Sequence, residues 1–224
     1  MGIPQSTDIL DQRPLRMFQT LLAAYGPQGW WPAESIEETI IGAILTQNTS
    51  WKNVEQALAV LRREELMSFE RLEQMPQEYL AECIRSSGYY NQKSRRLRGF
   101  SLRLQAEHGS LSQLGSLPTR ALRDWLLDIH GIGKETADSI LLYAFNRPIF
   151  VVDAYTIRIF SRHHLIEETY DYDQVQTYIH KNLRPEAQTY NEFHALLVRV
   201  GKEYCQRKQP RCENCPLRKK KVQG

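Results

Sequence analysis

Residues 127–153 read LDIHGIGKETADSILLYAFNRPIFVVD. Two helical patterns meet at Gly131-Ile132-Gly133, and an apolar Val151-Val152 pair leads into a lone carboxylate, Asp153. Upstream, Leu122, Trp125, Leu126 and Ile129 recur at helical spacing, and Pro118 is placed to start that helix. Downstream, Lys134 to Phe145 continues as a second helix. The two glycines let the backbone turn tightly and approach a ligand closely. Amides at the start of the second helix then point at an anion, with the helix dipole assisting. Lys134 adds a cation beside them. The glycines alone would also fit an ordinary turn between helices. Asp153 has two compatible readings. It is a good N-cap for the helix from Ala154 to Arg162. It is also a carboxylate able to stabilise positive charge or orient water.

Outward from this stretch, nearly every periodic segment has helical spacing. Ser35-x-x-Glu38 predicts a capping box opening the run Ile36, Ile40, Ile41, Ile44, Leu45. Trp51 to Arg63 places Val54, Leu58 and Leu61 on one face. Pro76 starts a helix carrying Tyr79, Leu80, Cys83 and Ile84, with Gly88 as its stop. Gln92 to Leu104 is a basic helix, Asp173 caps one running to Leu183, and Asn191 to Glu203 is the last. Ile149 to Val152 leaves room for one short strand, and no β-hairpin signal is present. The predicted class is all-α. At 224 residues and 42% apolar the chain can bury a real core in one large domain or two small ones.

The apolar runs are too short to span a bilayer, and no signal-peptide pattern is present, so the expectation is a cytoplasmic protein without a membrane partner. The net charge of +3 conceals two basic segments. Residues 83–106 carry six bases and no acid, and residues 201–224 carry eight bases and two acids. Two such segments on an otherwise acidic chain favour a polyanion partner. Cys205, Cys212 and Cys215 form C-x6-C-x2-C, an odd set that suits metal better than disulfides in a chain without a secretion signal. Cys83 reads as a buried core residue.

Gly131-Ile132-Gly133-Lys134-Glu135-Thr136-Ala137, then Val151-Val152-Asp153, resembles the helix-hairpin-helix, Gly/Pro-rich loop and Asp signature of the endonuclease III superfamily of DNA glycosylases. Leu45-Thr46-Gln47-Asn48-Thr49 resembles the superfamily's loop whose glutamine enters the DNA stack, and Gly88-Tyr89-Tyr90-Asn91-Gln92-Lys93 its G-x-Y-x-x-K segment. The resemblance runs from about residue 30 to residue 217. It implies two helical lobes. A six-helix barrel over residues 34–147 would contain the hairpin. Residues 1–33 and 148–224 would pair as the second lobe, carrying Asp153 and the loop from Cys205 to Cys215.

Bifunctional members of the superfamily have lysine where this chain has Glu135. That amine attacks C1′ and forms a Schiff base, which a carboxylate cannot do. Lys134 is adjacent, but one helical residue is a rotation of about 100°. The resemblance therefore implies a monofunctional glycosylase that removes a base and leaves the strand intact.

Trp30-Trp31-Pro32, Trp51, Ser87 through Lys93 and Gly133-Lys134-Glu135 are most similar to the bacterial 3-methyladenine DNA glycosylases of this fold. A base methylated at N3 is cationic, and electron-rich indoles attract it by stacking and cation–π interaction. The resemblance makes Trp30 and Trp51 the two plates of a base pocket, with Trp31 and Pro32 shaping its wall. It makes Asp153 the catalytic carboxylate, beside Glu135. Gln47 would fill the gap left by a flipped base, and Asn48 would contact DNA. Gly131, Gly133, Lys134, Tyr90 and Lys93 would contact DNA. Carbonyls of Leu127, Ile129 and Ile132 would hold a monovalent cation.

The family's cysteine loop binds an iron–sulfur cluster through four cysteines, and the fourth position here is Lys221. Three thiolates in register imply a [4Fe–4S] cluster with incomplete cysteine ligation. Zinc with a histidine, or a degenerate loop, stays open. The expected partner is double-stranded DNA with damaged bases, bound by a monomer. The alternatives are a glycosylase for mismatched or deaminated bases and a non-catalytic helix-hairpin-helix DNA-binding module. Asp153 and Gln47 argue against the last, since plain binding needs neither.

Overall fold

The computed structural model describes residues 10–218. Among them are twelve α-helices and no strand, in accord with the predicted all-α class. They fall into two compact units, one continuous from Trp31 to Pro148, the other made of the residues up to Trp30 and those from Ile149 onward. No described helix is long and apolar enough to cross a membrane.

The chain enters the discontinuous unit through α1 (Arg13–Tyr25). This helix has no capping side chain; Pro14 starts it, and Met17 and Leu21 are buried. The continuous unit follows, with α2 (Ile36–Leu45), α3 (Trp51–Arg63), α4 (Phe69–Gln74), α5 (Gln77–Cys83), α6 (Tyr90–Glu107), α7 (Leu111–Gly115), α8 (Thr119–Leu127) and α9 (Lys134–Ser139). Every residue of α2 from Glu38 to Leu45 is buried, so α2 is the central helix, apolar on all sides. Ser35 caps it by accepting the Glu38 amide at 3.1 Å. Only half of the predicted box closes. The Glu38 carboxylate turns instead to Arg62 of α3 and to the Glu34 amide. Helix α9 passes directly into a π-helical turn, Ile140–Ala144, an irregularity that often accompanies function.

Helices α8 and α9, the arms of the hairpin, are pinned by a bidentate ion pair. Arg123 donates from Nε to Asp138 Oδ1 at 2.6 Å and from Nη2 to Oδ2 at 3.0 Å, and Asp138 is fully buried.

The chain then returns to the first unit with α10 (Ala154–Arg162), α11 (Tyr172–Asn182) and α12 (Ala187–Glu203), which pack with α1 around Phe150, Phe160, Tyr190 and Phe193. Residues 149–152 are not a strand. They run unpaired as a buried apolar segment, with the Phe150 amide donating to His180 Nε2 and the Phe150 carbonyl accepting from Gln176 Nε2. Asp171 rather than Asp173 caps α11, because its reciprocal partner Gln174 sits three residues on and closes a full capping box.

Candidate functional site

The hairpin turns at Gly131, whose φ of +86° favours glycine. Space demands glycine as well: a methyl there would run into the guanidinium of Arg96, which lies across the turn from α6. Gly133 differs. It is the N-cap of α9 with φ −92°, and a methyl on it would meet nothing within 4 Å. Gly133 is thus free to serve close approach by a ligand. Gly131→Ala is expected to cost about 1–3 kcal/mol in a denaturant titration. Gly133→Ala should leave that midpoint unchanged and weaken binding to duplex DNA instead. Equal Kd for wild type and Gly133→Ala would remove the hairpin from the interface.

Gln47 is turned inward onto this hairpin. Its Nε2 donates to Gly131 O at 3.0 Å and to Thr136 Oγ1 at 2.9 Å, and its Oε1 accepts from Arg96 Nη1. Arg96 and Thr136, neither singled out by sequence, therefore tie the loop after α2 to the hairpin. Asn48 is the exposed tip of that loop, at φ +52°.

Lys93 is not a surface contact, contrary to its sequence reading. It is 0% exposed, and its Nζ donates to Leu45 O at 2.8 Å and Ser87 O at 2.6 Å. These carbonyls end α2 and the short turn after α5, where a cation also meets the negative end of a helix dipole. The lysine braces both loops from inside. Desolvation, and then the nearby Arg96 charge, pushes its pKa down to about 8. A lysine held below its unfolded value carries fewer protons folded than unfolded, so its contribution to stability rises with pH across that interval. Stability of wild type relative to Lys93→Met should therefore increase from pH of about 8 toward the ordinary lysine value of 10.5. A flat difference would show the ammonium is not desolvated.

Beside this brace, the exposed aromatic is Tyr89 rather than Tyr90. Tyr89 is 59% exposed in a left-handed conformation at φ +46°. Tyr90 is half-buried under the guanidinium of Arg85, 5.3 Å from its ring centre.

A second cluster in the continuous unit is aromatic. The ring of Trp31 lies 5.1 Å from Trp51 at 87°, and 5.1 Å from Tyr143 at 47°. Its indole rests on Gly42 of α2, where a Cβ would stand 3.2 Å from Cζ2. The structure thus gives Trp51 an edge-to-face neighbour in Trp31, where sequence suggested only a wall. It adds Tyr143, which the π turn carries and no motif marks. All three rings are half-buried, and Pro32 is exposed. Trp30 ends the other unit and is half-buried there. Lys134 and Glu135 are exposed on the first turn of α9. Leu127, Ile129 and Ile132 lie on the hairpin, where Ile129 O accepts the Ile132 amide at 3.0 Å.

In the discontinuous unit, Asp153 is buried and caps α10, its Oδ1 accepting the Thr156 amide at 2.7 Å. Its Oδ2 lies 3.6 Å from Nε2 of His194 on α12. Burial alone would raise the carboxyl pKa, but the His194 imidazole and the Thr156 amide outweigh it and hold the group below the ordinary carboxylate value.

The cysteine loop is fastened to the same helix by two arginines. Arg158 Nε donates to Cys205 O at 2.7 Å. Arg162 donates to Cys205 Sγ at 3.3 Å and to the carbonyls of Gln206 and Arg207, each at 2.9 Å. Cys212 is exposed and Cys215 buried, where desolvation raises its thiol pKa. Among the described residues no group of three or more His, Cys, Asp or Glu is gathered to hold a metal. Arg162 thus supplies an N–H to the Cys205 sulfur, a bond that a metal-bound thiolate also accepts. Lys221 lies outside the described residues.

The model of the HhH-GPD superfamily, base excision DNA repair proteins, matches residues 41–185. A protein of Methanocaldococcus jannaschii, provisionally named a DNA repair glycosylase, is 45% identical over 205 residues, 91% of this chain and 93% of that one. Among solved structures, the H. pylori 3-methyladenine DNA glycosylase bound to 1,N6-ethenoadenine superposes with a TM-score of 0.75 at 30% identity, covering 85% of this chain and 97% of that chain. A trapped covalent intermediate of endonuclease III with DNA gives 0.78 at 21% identity, covering 93% and 94%, which establishes a shared fold.

Proposed function

The chain belongs to the HhH-GPD superfamily of base excision DNA repair proteins, and from that premise we propose that it is a monofunctional glycosylase for alkylated purines in duplex DNA. Glu135 carries this reading. By its place in the motif it resembles the position at which bifunctional members of the superfamily carry the attacking lysine, and its carboxylate cannot form an imine. Lys134 next to it points about 100° away around the helix.

The aromatic group of Trp31, Trp51 and Tyr143 supports a cationic base as substrate, since ring faces attract delocalised positive charge. The likeness to a 3-methyladenine glycosylase agrees with it. Chemistry then makes few demands. The bond between C1′ and the base nitrogen breaks, its electron pair neutralises the departing purine, and no strong general acid is needed. Water adds its oxygen to C1′ and releases a proton. Asp153, kept ionised, stabilises the positive charge that develops on the sugar and orients that water.

Flipping the base costs a few kcal/mol, less for a damaged one. Gln47, Asn48 and the exposed Tyr89 are the residues placed to meet the opened stack, and Gln47 exchanges its bonds to the hairpin for contacts to DNA. Gly133 and Lys134 are exposed, which suits the contact to the phosphate backbone assigned to them. The carbonyls of Leu127, Ile129 and Ile132 are hard oxygen donors suited to a monovalent cation, which would add positive charge beside the phosphate. No step runs through the cysteine loop. The protein acts as a monomer on duplex DNA.

Duplexes bearing 3-methyladenine, 7-methylguanine, uracil or mismatched adenine test the substrate by base release. Methylated purines should be freed and the other two left in place. Release of uracil or mismatched adenine instead would move the chain to a different substrate class. Borohydride should trap no covalent adduct with wild type, whereas Glu135→Lys should gain one. An adduct with wild type would refute the monofunctional reading.

A further inference from the structure

The Asp153 carboxylate is buried, and its two oxygens meet different groups. Oδ1 receives the amide of Thr156, which fixes one side as a helix cap. Oδ2 faces Nε2 of His194 at 3.6 Å. His194 projects from α12, which packs on α10, and is only 7% exposed. The Phe150 ring stands near the imidazole, 6.2 Å between centres and at 82°. Phe150 in turn packs against Tyr190 and Phe193 of the same helix. The imidazole is therefore held by a rigid aromatic wall.

We propose that His194 is the positioning residue of Asp153: its imidazole, at ion-pair distance from Oδ2, holds that oxygen in place and keeps the carboxylate anionic. The inference rests on the function proposed above, with Asp153 as the charge that faces the sugar. A buried carboxylate with one amide bond would be pulled toward the neutral acid by its apolar surroundings. The imidazole beside Oδ2 opposes that pull, while the cap fixes Oδ1. The downward displacement of the Asp153 pKa, to which the imidazole contributes most after burial is overcome, agrees with this arrangement. His194 itself donates nothing to the substrate.

Two variants and two readouts decide it. His194→Leu removes the N–H and keeps an apolar side chain. His194→Gln keeps a side-chain N–H. Single-turnover base release should fall about 100-fold in His194→Leu, the scale of losing one preorganised electrostatic group, with Kd for the duplex unchanged. His194→Gln should recover at least about tenfold of that loss. A folded His194→Leu protein releasing base at the wild-type rate would overturn the proposal, as would a loss confined to Kd.

The second readout needs no activity. In a long-range 1H–15N correlation of the histidine rings, Asp153→Asn should shift the His194 ring nitrogens. Unchanged His194 signals would overturn the pairing. Should wild type release no base from any duplex, the function proposed above fails, and the ring spectra still decide whether His194 holds Asp153.

Discussion

Asp153→Asn is expected to lower the single-turnover rate of base release by about 100- to 1000-fold, the typical effect of removing one preorganised charge-stabilising group. Asparagine caps a helix as well as aspartate does, so the bond from the Thr156 amide survives and α10 keeps its start. The amide has nearly the same shape, so the variant removes charge and little else. Far-UV circular dichroism and duplex Kd should therefore match wild type while the rate collapses. Asp153→Ala would lose the cap as well, at about 1 kcal/mol of stability, and could not separate the two roles. A rate within tenfold of wild type in Asp153→Asn would move the catalytic charge elsewhere.

The pH dependence has a defined sign. A carboxyl whose pKa is lowered on folding contributes stability above its unfolded value, and that contribution is lost as pH falls through the lowered folded value. Base release should accordingly persist into acid where an ordinary aspartate would already be protonated.

Arg123→Leu is expected to destabilise the hairpin unit by about 3–5 kcal/mol, because it removes the bidentate cation from the fully buried Asp138 carboxylate. Against a total of roughly 5–15 kcal/mol for a native domain, that is a large share. Removing both charges together is different. A well-packed apolar pair can replace a buried ion pair at little cost. Arg123→Leu combined with Asp138→Leu should therefore recover most of the loss. Urea titration followed by tryptophan fluorescence reports on this region, since Trp125 lies in α8 two residues beyond Arg123. A single variant less than about 1 kcal/mol from wild type would show that Asp138 is satisfied without its partner.

The hairpin, α2, α3, α8 and α10 were legible because each carries its own local signal: paired glycines, a capping serine, a proline start or Asp153. Helix α1 was passed over although Pro14 starts it, since Gln12 offers no capping side chain. Sequence could place Lys93 in a basic segment, but a lysine buried against two carbonyls is rare, so the surface reading was the natural one. Gln47 sat in a recognisable loop, yet its docking on Gly131 and Thr136 depends on contacts far apart in the chain. The same holds for His194 and for Tyr143. Neither stands in a motif, and each reaches its partner only through packing. The arginine ties to Cys205 were equally hidden, because Arg158 and Arg162 read as the polar face of an ordinary amphipathic helix.

Gly42 offers a way to retune the protein without touching any group that reacts. It sits inside the most buried helix, and the Trp31 indole leans on it at 3.2 Å from where a Cβ would be. One added methyl obliges the ring to yield by a few tenths of an ångström. That shift passes to the edge of Trp51 and the face of Tyr143, which share its contacts. If these rings form the base pocket proposed above, substrate breadth is open to selection from behind the aromatic wall. A lineage, or an engineer, could narrow or widen the range of accepted bases with a single substitution in the hydrophobic interior.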